Sequence, residues 1–538
     1  MAGEAANHGT SAQALFLLFL VPLALLLVGG KRWSRRRSNQ EQHLRLPPSP
    51  PGKLPVIGHI HLVGPLPHVS LRDLARKHGP DLMLLRLGAV NTVVVSSPRA
   101  AEAVLRTHDH ALASRARSAV ADIIFYRSSD VAFAPFGEPW RQARKLVTTH
   151  MLSASKVHSF RHYREEEVRI AVAKIRAAAA AASSAGTATA AAVDMTEHLG
   201  SYMNDVVCGA VLGRHHRDDG RTKLLRELIE IHVSLLGGFN VEDYFPFLAM
   251  SDVFTGAVLC PRDKSVRKRW DELLDKLIAE HGRHREQEDD ASADFIHVLL
   301  SLQEEYGLTT DNVKAILLQD MFGAGIETTY VTLDFAMVEL MNNRHVMAKL
   351  QAEVRTRRRA SAPAGGKDEE ELQEDVVTEE ELGDMAYLKA TVKETLRLHP
   401  AAPLLMPHLS IAECEIDGYT IPAGTRLMVN AWALARDPVS WETPEEFLPE
   451  RFLPGGSAAA LDGKGNYFEY VPFGSGRRIC PGINFANAAM ELMLANLVYH
   501  FDWELPPEIK EVDMKQVFGL TTRRKEKLLL VPAPRSLQ

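Results

Sequence analysis

One cysteine of this chain stands where its sulfur could be held as a thiolate. The stretch Pro472-Phe473-Gly474-Ser475-Gly476-Arg477-Arg478-Ile479-Cys480-Pro481-Gly482 places Cys480 in a glycine-rich loop, just ahead of an apolar run from Ile483 to Phe501. A free thiol titrates near ~8.5, so a thiolate at neutral pH needs help. Positive charge and unpaired N–H groups at a helix start provide it. Arg477 and Arg478 are expected to bring the charge, while Gly476 and Gly482 let the backbone turn closely around the sulfur. The chemistry this suits is metal ligation through sulfur. A buried, idle thiol is the other reading of a single cysteine beside arginines.

A second candidate group lies in Phe322-Gly323-Ala324-Gly325-Ile326-Glu327-Thr328-Thr329. Here an acid and a hydroxyl, Glu327 and Thr328, share a stretch weakened by two glycines. Each glycine inside a helix costs about 1 kcal/mol relative to alanine. Threonine hydroxyls can also bond to the carbonyl one turn back and loosen the ladder. Close helix packing would account for the glycines, but not for the acid beside the hydroxyl. Three further sets could carry charge into a site: Trp140 and Arg144, Glu394 and Arg397, and Arg451 in Pro449-Glu450-Arg451-Phe452. Trp140 with Arg144, four apart, and Glu394 with Arg397, three apart, each share a helix face. His408 stands alone. Read without context, these are a surface charge, a surface ion pair and a surface histidine.

The elements that must hold these residues can be read from pattern. Thr309 or Thr310 can cap a helix running to about Asn343, on the order of 50 Å long and carrying Glu327 in its middle. Pro139 suits the first turn of a helix bearing Trp140 and Arg144. Another helix runs from about Met385 to Leu398 and stops before Pro400. Leu82–Leu87 and Thr92–Ser96 read as a β-hairpin around Gly88–Asn91, with a short helix from Pro98 to His108 after it. Glu415–Val429 turns at Gly418 and Gly424 in the manner of a second hairpin. Ser114 to Phe136 reads as loop. Ala177–Ala192 is of low complexity, and His284–Asp294 and Arg357–Asp375 read as exposed loops without chemistry.

The chain has 538 residues, 46% hydrophobic and 24% charged, which is ordinary globular composition. Its net charge of −6 gives no reason to expect nucleic-acid binding. The four cysteines, Cys208, Cys260, Cys414 and Cys480, lie far apart with no CxxC spacing, which argues against a zinc site or a disulfide framework. Ala14 to Gly30 is an uncharged apolar run, followed by Lys31, Arg32, Arg35, Arg36 and Arg37. The charges follow the run and no small-residue cleavage site precedes them. The reading is therefore a retained anchor with everything after Lys31 in the cytosol, ahead of a cleaved signal peptide. Leu46-Pro47-Pro48-Ser49-Pro50-Pro51-Gly52 is a stiff connector. The expected division is an anchor over residues 1–30, a basic and proline-rich hinge over 31–58 and a catalytic domain over 59–538.

The pattern Phe473, Gly476, Arg478, Cys480, Gly482 resembles the haem-ligating loop of the cytochrome P-450 monooxygenases. The Phe322 to Thr329 string is similar to the same family's motif over the oxygen site, and Glu394, Arg397 and Arg451 to its Glu-x-x-Arg and Pro-x-Arg-Phe pairing. The likeness spans nearly the whole chain, from the anchor to Phe518-Gly519-Leu520-Thr521. It implies a mainly α fold with a smaller β region, preceded by one transmembrane helix, on the endoplasmic reticulum membrane with the catalytic domain facing the cytosol. It implies haem b ligated axially by Cys480, O2, and electrons from NADPH through a partner reductase. The chain itself has no nucleotide-binding fingerprint.

By the same resemblance, Thr328 and Glu327 are catalytic and deliver protons. Trp140, Arg144, His408, Arg478, Phe473, Gly476 and Gly482 hold the haem, and Glu394, Arg397 and Arg451 form a buried network pinning the cysteine loop. A pocket for a small lipophilic substrate is expected from Ile123, Ile124, Phe125, Phe133, Met321, Phe322, Leu404, Leu405 and Leu520, in a monomeric protein.

Finer likeness lies in Thr149-His150-Met151-Leu152-Ser153, in Gly238 to Pro246, in Tyr306 to Asn312 and in Tyr499 to Glu504. These stretches look like the grass enzymes of benzoxazinoid synthesis, which hydroxylate indole, indolin-2-one and 3-hydroxyindolin-2-one. Many of those carry Glu where this chain has Gly323. Other readings are an oxidiser of a terpenoid, a herbicide or another specialised metabolite, and a membrane-anchored haem-binding protein without turnover.

Overall fold

The structure, a computed structural model, describes residues 44–184, 192–213, 219–237, 240–246, 261–283, 294–361 and 376–534. The apolar run Ala14–Gly30, Cys260 and the middle of each low-complexity stretch lie outside them. Among the described residues, no helix is long and apolar enough to cross a membrane. The Ala177–Ala192 run is taken up as far as Ser184 by the helix Arg161–Ser184. Arg357 likewise belongs to the helix Arg344–Ser361 and not to a loop. Asp294 is the N-cap of the helix Phe295–Leu302, its carboxylate accepting from the His297 N–H.

Among the described residues, strands gather in one five-stranded sheet and three small ones. Leu82–Leu87 (β1) and Val90–Val95 (β2) pair antiparallel, with Leu82 opposite Val95. Their turn is the pair Gly88-Ala89, shorter than the pattern suggests, because Asn91 joins the ladder opposite Arg86. Beyond them the sheet holds Ser114–Arg115 (β3), His408–Leu409 (β4) and Arg426–Val429 (β5), in the order β1-β2-β5-β4-β3. In this register Arg115 of β3 lies directly opposite His408 of β4. Residues nearly 300 apart in sequence are thereby placed side by side.

The rest is mainly helix. Glu138–Leu146 is α1, Met195–Leu212 α2, Asp219–Gly237 α3 and Pro261–Arg283 α4. A continuous rod, α5, joins Thr310–Ala315, a π-helical stretch Ile316–Gly323 and Ala324–Asn342. Its start is fixed by a capping box between Thr309 and Asn312. Ala386–Leu398 is α6 and Ile483–His500 is α7. The rod packs on α2 and α7, and α7 packs in turn on α6. The glycines of α5 are explained by close approach. A Cβ at Gly325 would stand 3.3 Å from Val207 of α2, and one at Gly323 would stand 2.7 Å from His232 of α3.

The end of α6 carries a buried charge network. Arg397 grips Glu394 with two bonds, Nε at 2.7 Å and an Nη at 2.8 Å. Its remaining N–H groups donate to the carbonyls of Ala435, Pro444 and Glu446. Glu394 also accepts from the Leu448 N–H at 2.8 Å, and Arg451 Nε lies 3.4 Å from it. Both members of the pair are wholly excluded from solvent, so each depends on the other for compensation. The trio ties α6 to residues 435–451 and does not touch the cysteine loop. That connection runs through the Tyr470 hydroxyl, which donates to the Lys393 carbonyl.

Arg397→Ala should therefore cost about 3–5 kcal/mol, because a buried carboxylate would lose its partner. Urea unfolding of the haem-loaded protein measures this, and a loss below ~1 kcal/mol would mean that the network is dispensable.

Candidate functional site

The cysteine loop is shaped by two glycines in the left-handed region, Gly474 (φ +72°) and Gly476 (φ +68°). Gly476 runs against the helical stretch Ala103–Thr107: a Cβ there would lie 2.0 Å from the Leu105 carbonyl oxygen. The Cys480 N–H donates to the Phe473 carbonyl at 2.9 Å and closes the loop. The Gly482 N–H, at the start of α7, donates to Cys480 Sγ at 3.3 Å. Burial pushes the thiol above its usual value, while that N–H and the Arg144 charge pull the other way.

The source of charge differs from the sequence expectation. Arg477 is half exposed and pairs with Asp109 at 3.2 Å. Arg478 turns away from the sulfur and donates to the carbonyls of Ala113, Val131 and Ala134 at 2.6–3.0 Å. The arginine that acts on the thiol is Arg144 of α1, which donates to the Ile479 carbonyl beside it. Trp140, one turn earlier, is buried and donates its indole N–H to Val131 O at 3.0 Å. The Arg478 guanidinium lies 4.2 Å above the Trp140 ring. Trp140 thus positions Arg478 and does not reach the cavity wall.

Cys480, Phe473, Gly482, Arg144, Arg478 and His408 line one cavity of about 270 Å³ together with Glu327 and Thr328 of α5. Gly476 lies outside its wall and acts by shaping the loop. Thr328 Oγ1 donates to the Ala324 carbonyl at 2.7 Å, and Thr332 Oγ1 to the Thr328 carbonyl at 2.9 Å. Both bonds divert carbonyls of the helix ladder. Glu327 is buried, with Oε2 lacking any protein partner. Burial holds its carboxyl above the usual range, opposed by Thr521 and Arg523. His408 is buried rather than on the surface, with Nδ1 3.0 Å from the Leu112 carbonyl, and burial drives it well below the usual histidine value.

The apolar wall is only partly the one expected. Met321, Leu405 and Leu520 line the cavity, whereas Ile123, Ile124, Phe125, Phe133, Phe322 and Leu404 do not. Phe125 and Phe322 are fully buried in the main core, with the Phe133 ring tilted against Phe125 at 5.3 Å. Ile124 belongs to the same core, and the Ile123 carbonyl is taken by Arg267 at 2.8 Å. Leu404 packs beneath the sheet against Met83 and Leu85.

Two charged lining residues carry no sequence motif. Arg115 is fully buried; it donates to Ala132, Met406 and Pro407 carbonyls at 2.8–3.1 Å, and burial lowers it to about 10. Asp320 accepts from the N–H groups of Val131 and Ala132 at 2.7 and 3.1 Å. Burial raises its carboxyl, as does nearby Asp130. A polar pair, Gln319-Asp320, inside the apolar run of α5 was the only sequence signal for the latter.

What could such a cavity hold? Among the described residues, no group of three or more His, Cys, Asp or Glu is placed to bind a metal ion. A lone thiol suits a metal whose other ligands come with a prosthetic group. Apolar walls suit a macrocycle, and the guanidiniums of Arg115, Arg144 and Arg478 at one edge suit its carboxylates. Cys208 is buried in α2 and Cys414 lies in a small hairpin, so neither competes. The residues fit haem with a cysteine thiolate.

Fold and site together define a haem-thiolate oxygenase. The chain belongs to the cytochrome P450 family, whose profile matches residues 47–531. It is 57% identical to the maize indolin-2-one monooxygenase over 98% of this chain and 97% of that one. It is also 57% identical to the maize 3-hydroxyindolin-2-one monooxygenase, over 97% and 95%, and 53% identical to the maize indole-2-monooxygenase, over 96% and 94%. A zebrafish cytochrome P450 structure with abiraterone aligns at TM-score 0.70 and 24% identity, over 88% of this chain and all of that one, which supports the mostly helical fold. The chain is accordingly a monooxygenase that uses haem, O2 and electrons supplied by a reductase.

Cys480→Ser should lose the thiolate-type absorption of the reduced carbon monoxide complex while remaining folded by circular dichroism. An unchanged absorption band would remove Cys480 as the ligand.

Proposed function

We propose that this chain hydroxylates a small, flat nitrogen heterocycle of the indole or indolin-2-one type, of the kind that serves benzoxazinoid synthesis. The observation that carries this reading is near full-length identity above 50% to three maize enzymes named for those substrates, joined to a cavity that brings Cys480 and Thr328 to one space. The cavity wall is apolar at Met321, Leu405 and Leu520, which suits such a ring system.

Cys480 is the residue assigned to the iron, and Arg115, Arg144, Arg478 and His408 to the carboxylate edge of the haem. When bound, the haem activates dioxygen with reductase-supplied electrons and transfers one oxygen atom to the substrate. The chain supplies proton handling and a dry pocket. Glu327 keeps its proton to higher pH than an exposed glutamate, because burial disfavours its charged form. Thr328 Oγ1 has its proton engaged with Ala324 O, so its lone pairs are available to accept one. Both groups line the cavity, so a proton held on Glu327 and the Thr328 hydroxyl reach the same space.

The proposed setting is a monomer held on the endoplasmic reticulum membrane by a single N-terminal anchor, with the catalytic domain in the cytosol. It is supported by the run Ala14–Gly30 and the basic residues after it.

Reconstituted with an NADPH-dependent reductase and offered indole, indolin-2-one and 3-hydroxyindolin-2-one, the enzyme should consume NADPH and form a hydroxylated product with at least one. No product from any of the three would overturn the substrate reading. Thr328→Ala should keep the haem spectrum but lower product formed per NADPH consumed, on the order of tenfold or more. An undiminished ratio would remove Thr328 from the proton route.

A further inference from the structure

Helix α3 is seated on the cavity wall through two glycine contacts. A Cβ at Gly323 would stand 2.7 Å from His232 Nε2 and 3.0 Å from Gln319 Oε1, and a Cβ at Gly237 would stand 2.3 Å from Leu520 N. Gly323, Gln319 and Leu520 all line the cavity. His232 therefore stands directly behind the wall, separated from the cavity by a residue without a side chain.

His232 is completely buried, yet neither ring nitrogen has a hydrogen-bond partner in the protein. The same is true of Gln319 Oε1 and of the indole N–H of Trp270, whose ring centroid lies 5.9 Å from that of His232. The remaining neighbours are aromatic, with Phe125 edge-on at 5.9 Å and Phe322 stacked on Trp270. An unmet buried polar group costs roughly 1–3 kcal/mol, and nearly all such groups in folded proteins find partners. Four in one nest beside a ligand cavity mark a place where the partner is not the protein. Burial lowers His232 to about 3, so its ring is neutral and offers one donor and one acceptor nitrogen. Gln319 Oε1 adds a second acceptor.

We propose that Gln319 on the cavity wall, with His232 set behind it in the space a Gly323 side chain would fill, forms a polar recognition site for the N–H of a flat bicyclic lactam. Gln319 accepts from the lactam N–H, and His232, which does not line the cavity, positions the Gln319 side chain from behind. The pair fixes which edge of the ring system points away from α3. This deepens the reading given under Proposed function and rests on it for the ligand class.

The test uses the full-length, haem-loaded protein and two matched pairs of ligands: indolin-2-one with its N-methyl derivative, and quinolin-2-one with its N-methyl derivative. Binding is read by difference absorption and by equilibrium dialysis. The wild type should prefer the N–H member of at least one pair about tenfold or more, as expected for a buried acceptor left unpaired by the methylated ligand. His232→Phe and Gln319→Leu should each bring that ratio within about threefold, as should Gly323→Ala, whose Cβ displaces both side chains. Retention of the thiolate-type carbon monoxide spectrum identifies the variants that fold, and a merely structural role would leave the ratio unmoved in them. Absence of an N–H preference in the wild type overturns the site, whether the ligands bind equally or not at all. So does a preference that survives in the folded variants. Oxidation of indoles without an N–H preference removes this site and leaves the proposed function standing. A preference without oxidation does the reverse.

Discussion

The structure depends on keeping one sulfur on the wall of a largely apolar cavity, with Arg144 on the same wall as its acting charge. Burial works against a thiolate there. The chain answers mainly with backbone: a bond from Gly482 N to Sγ, a loop closed from Cys480 N to Phe473 O, and Gly476 pressed against Leu105 O. The first two are made within the loop, but the third and the acting charge come from elsewhere in the chain. Gly482 is placed by α7, Leu105 by the segment after β2, and the nearest acting charge, Arg144, by α1. The fold is thus arranged so that two distant segments meet at the loop that runs directly into α7.

The cationic edge of the cavity follows a related economy. Arg115 and Arg478 are partnered mainly by main-chain carbonyls, three each, and not by carboxylates. Carbonyl dipoles solvate a guanidinium without cancelling its charge, so the edge can still attract an anionic group. The Glu394–Arg397 pair represents the opposite choice. Charge is neutralised inside the scaffold, where only geometry is needed.

Legibility from sequence divided along physical lines. Cys480, Glu327 and Thr328, and Glu394 with Arg397, were visible because short-range spacing fixes their relation within a loop or a helix turn. Arg115 and His408 were not visible as a pair, since only sheet register brings them together. The direction of Arg478 was misjudged, because a charge beside a cysteine in sequence need not face it in space. The aromatic wall failed for another reason. Phe125, Phe133 and Phe322 are apolar at positions flanking the cavity, and periodicity cannot tell a side chain that fills the core from one that lines a void. Most helix positions held, with the largest correction in Ser114–Phe136, read as loop but carrying the strand Ser114–Arg115 and the helix Ala119–Ile124, and smaller ones at the Gly88-Ala89 turn and at Asp294.

The π-helical stretch Ile316–Gly323 has a consequence for how this wall can change over evolutionary time. A π turn is an α-helix carrying one inserted residue. Losing or moving that residue would rotate Gln319 and Met321 by about 100° around the rod, since each α-helical residue turns by that angle. Glu327 and Thr328 lie beyond it, in α-helical geometry anchored on α2 through Gly325 and Val207. A single-residue insertion or deletion can therefore redraw the half of α5 that faces a ligand and leave the half with the acid and hydroxyl in register. The two tasks are inherited on one helix but are mechanically separable, which allows lineages to change substrate without rebuilding the chemistry.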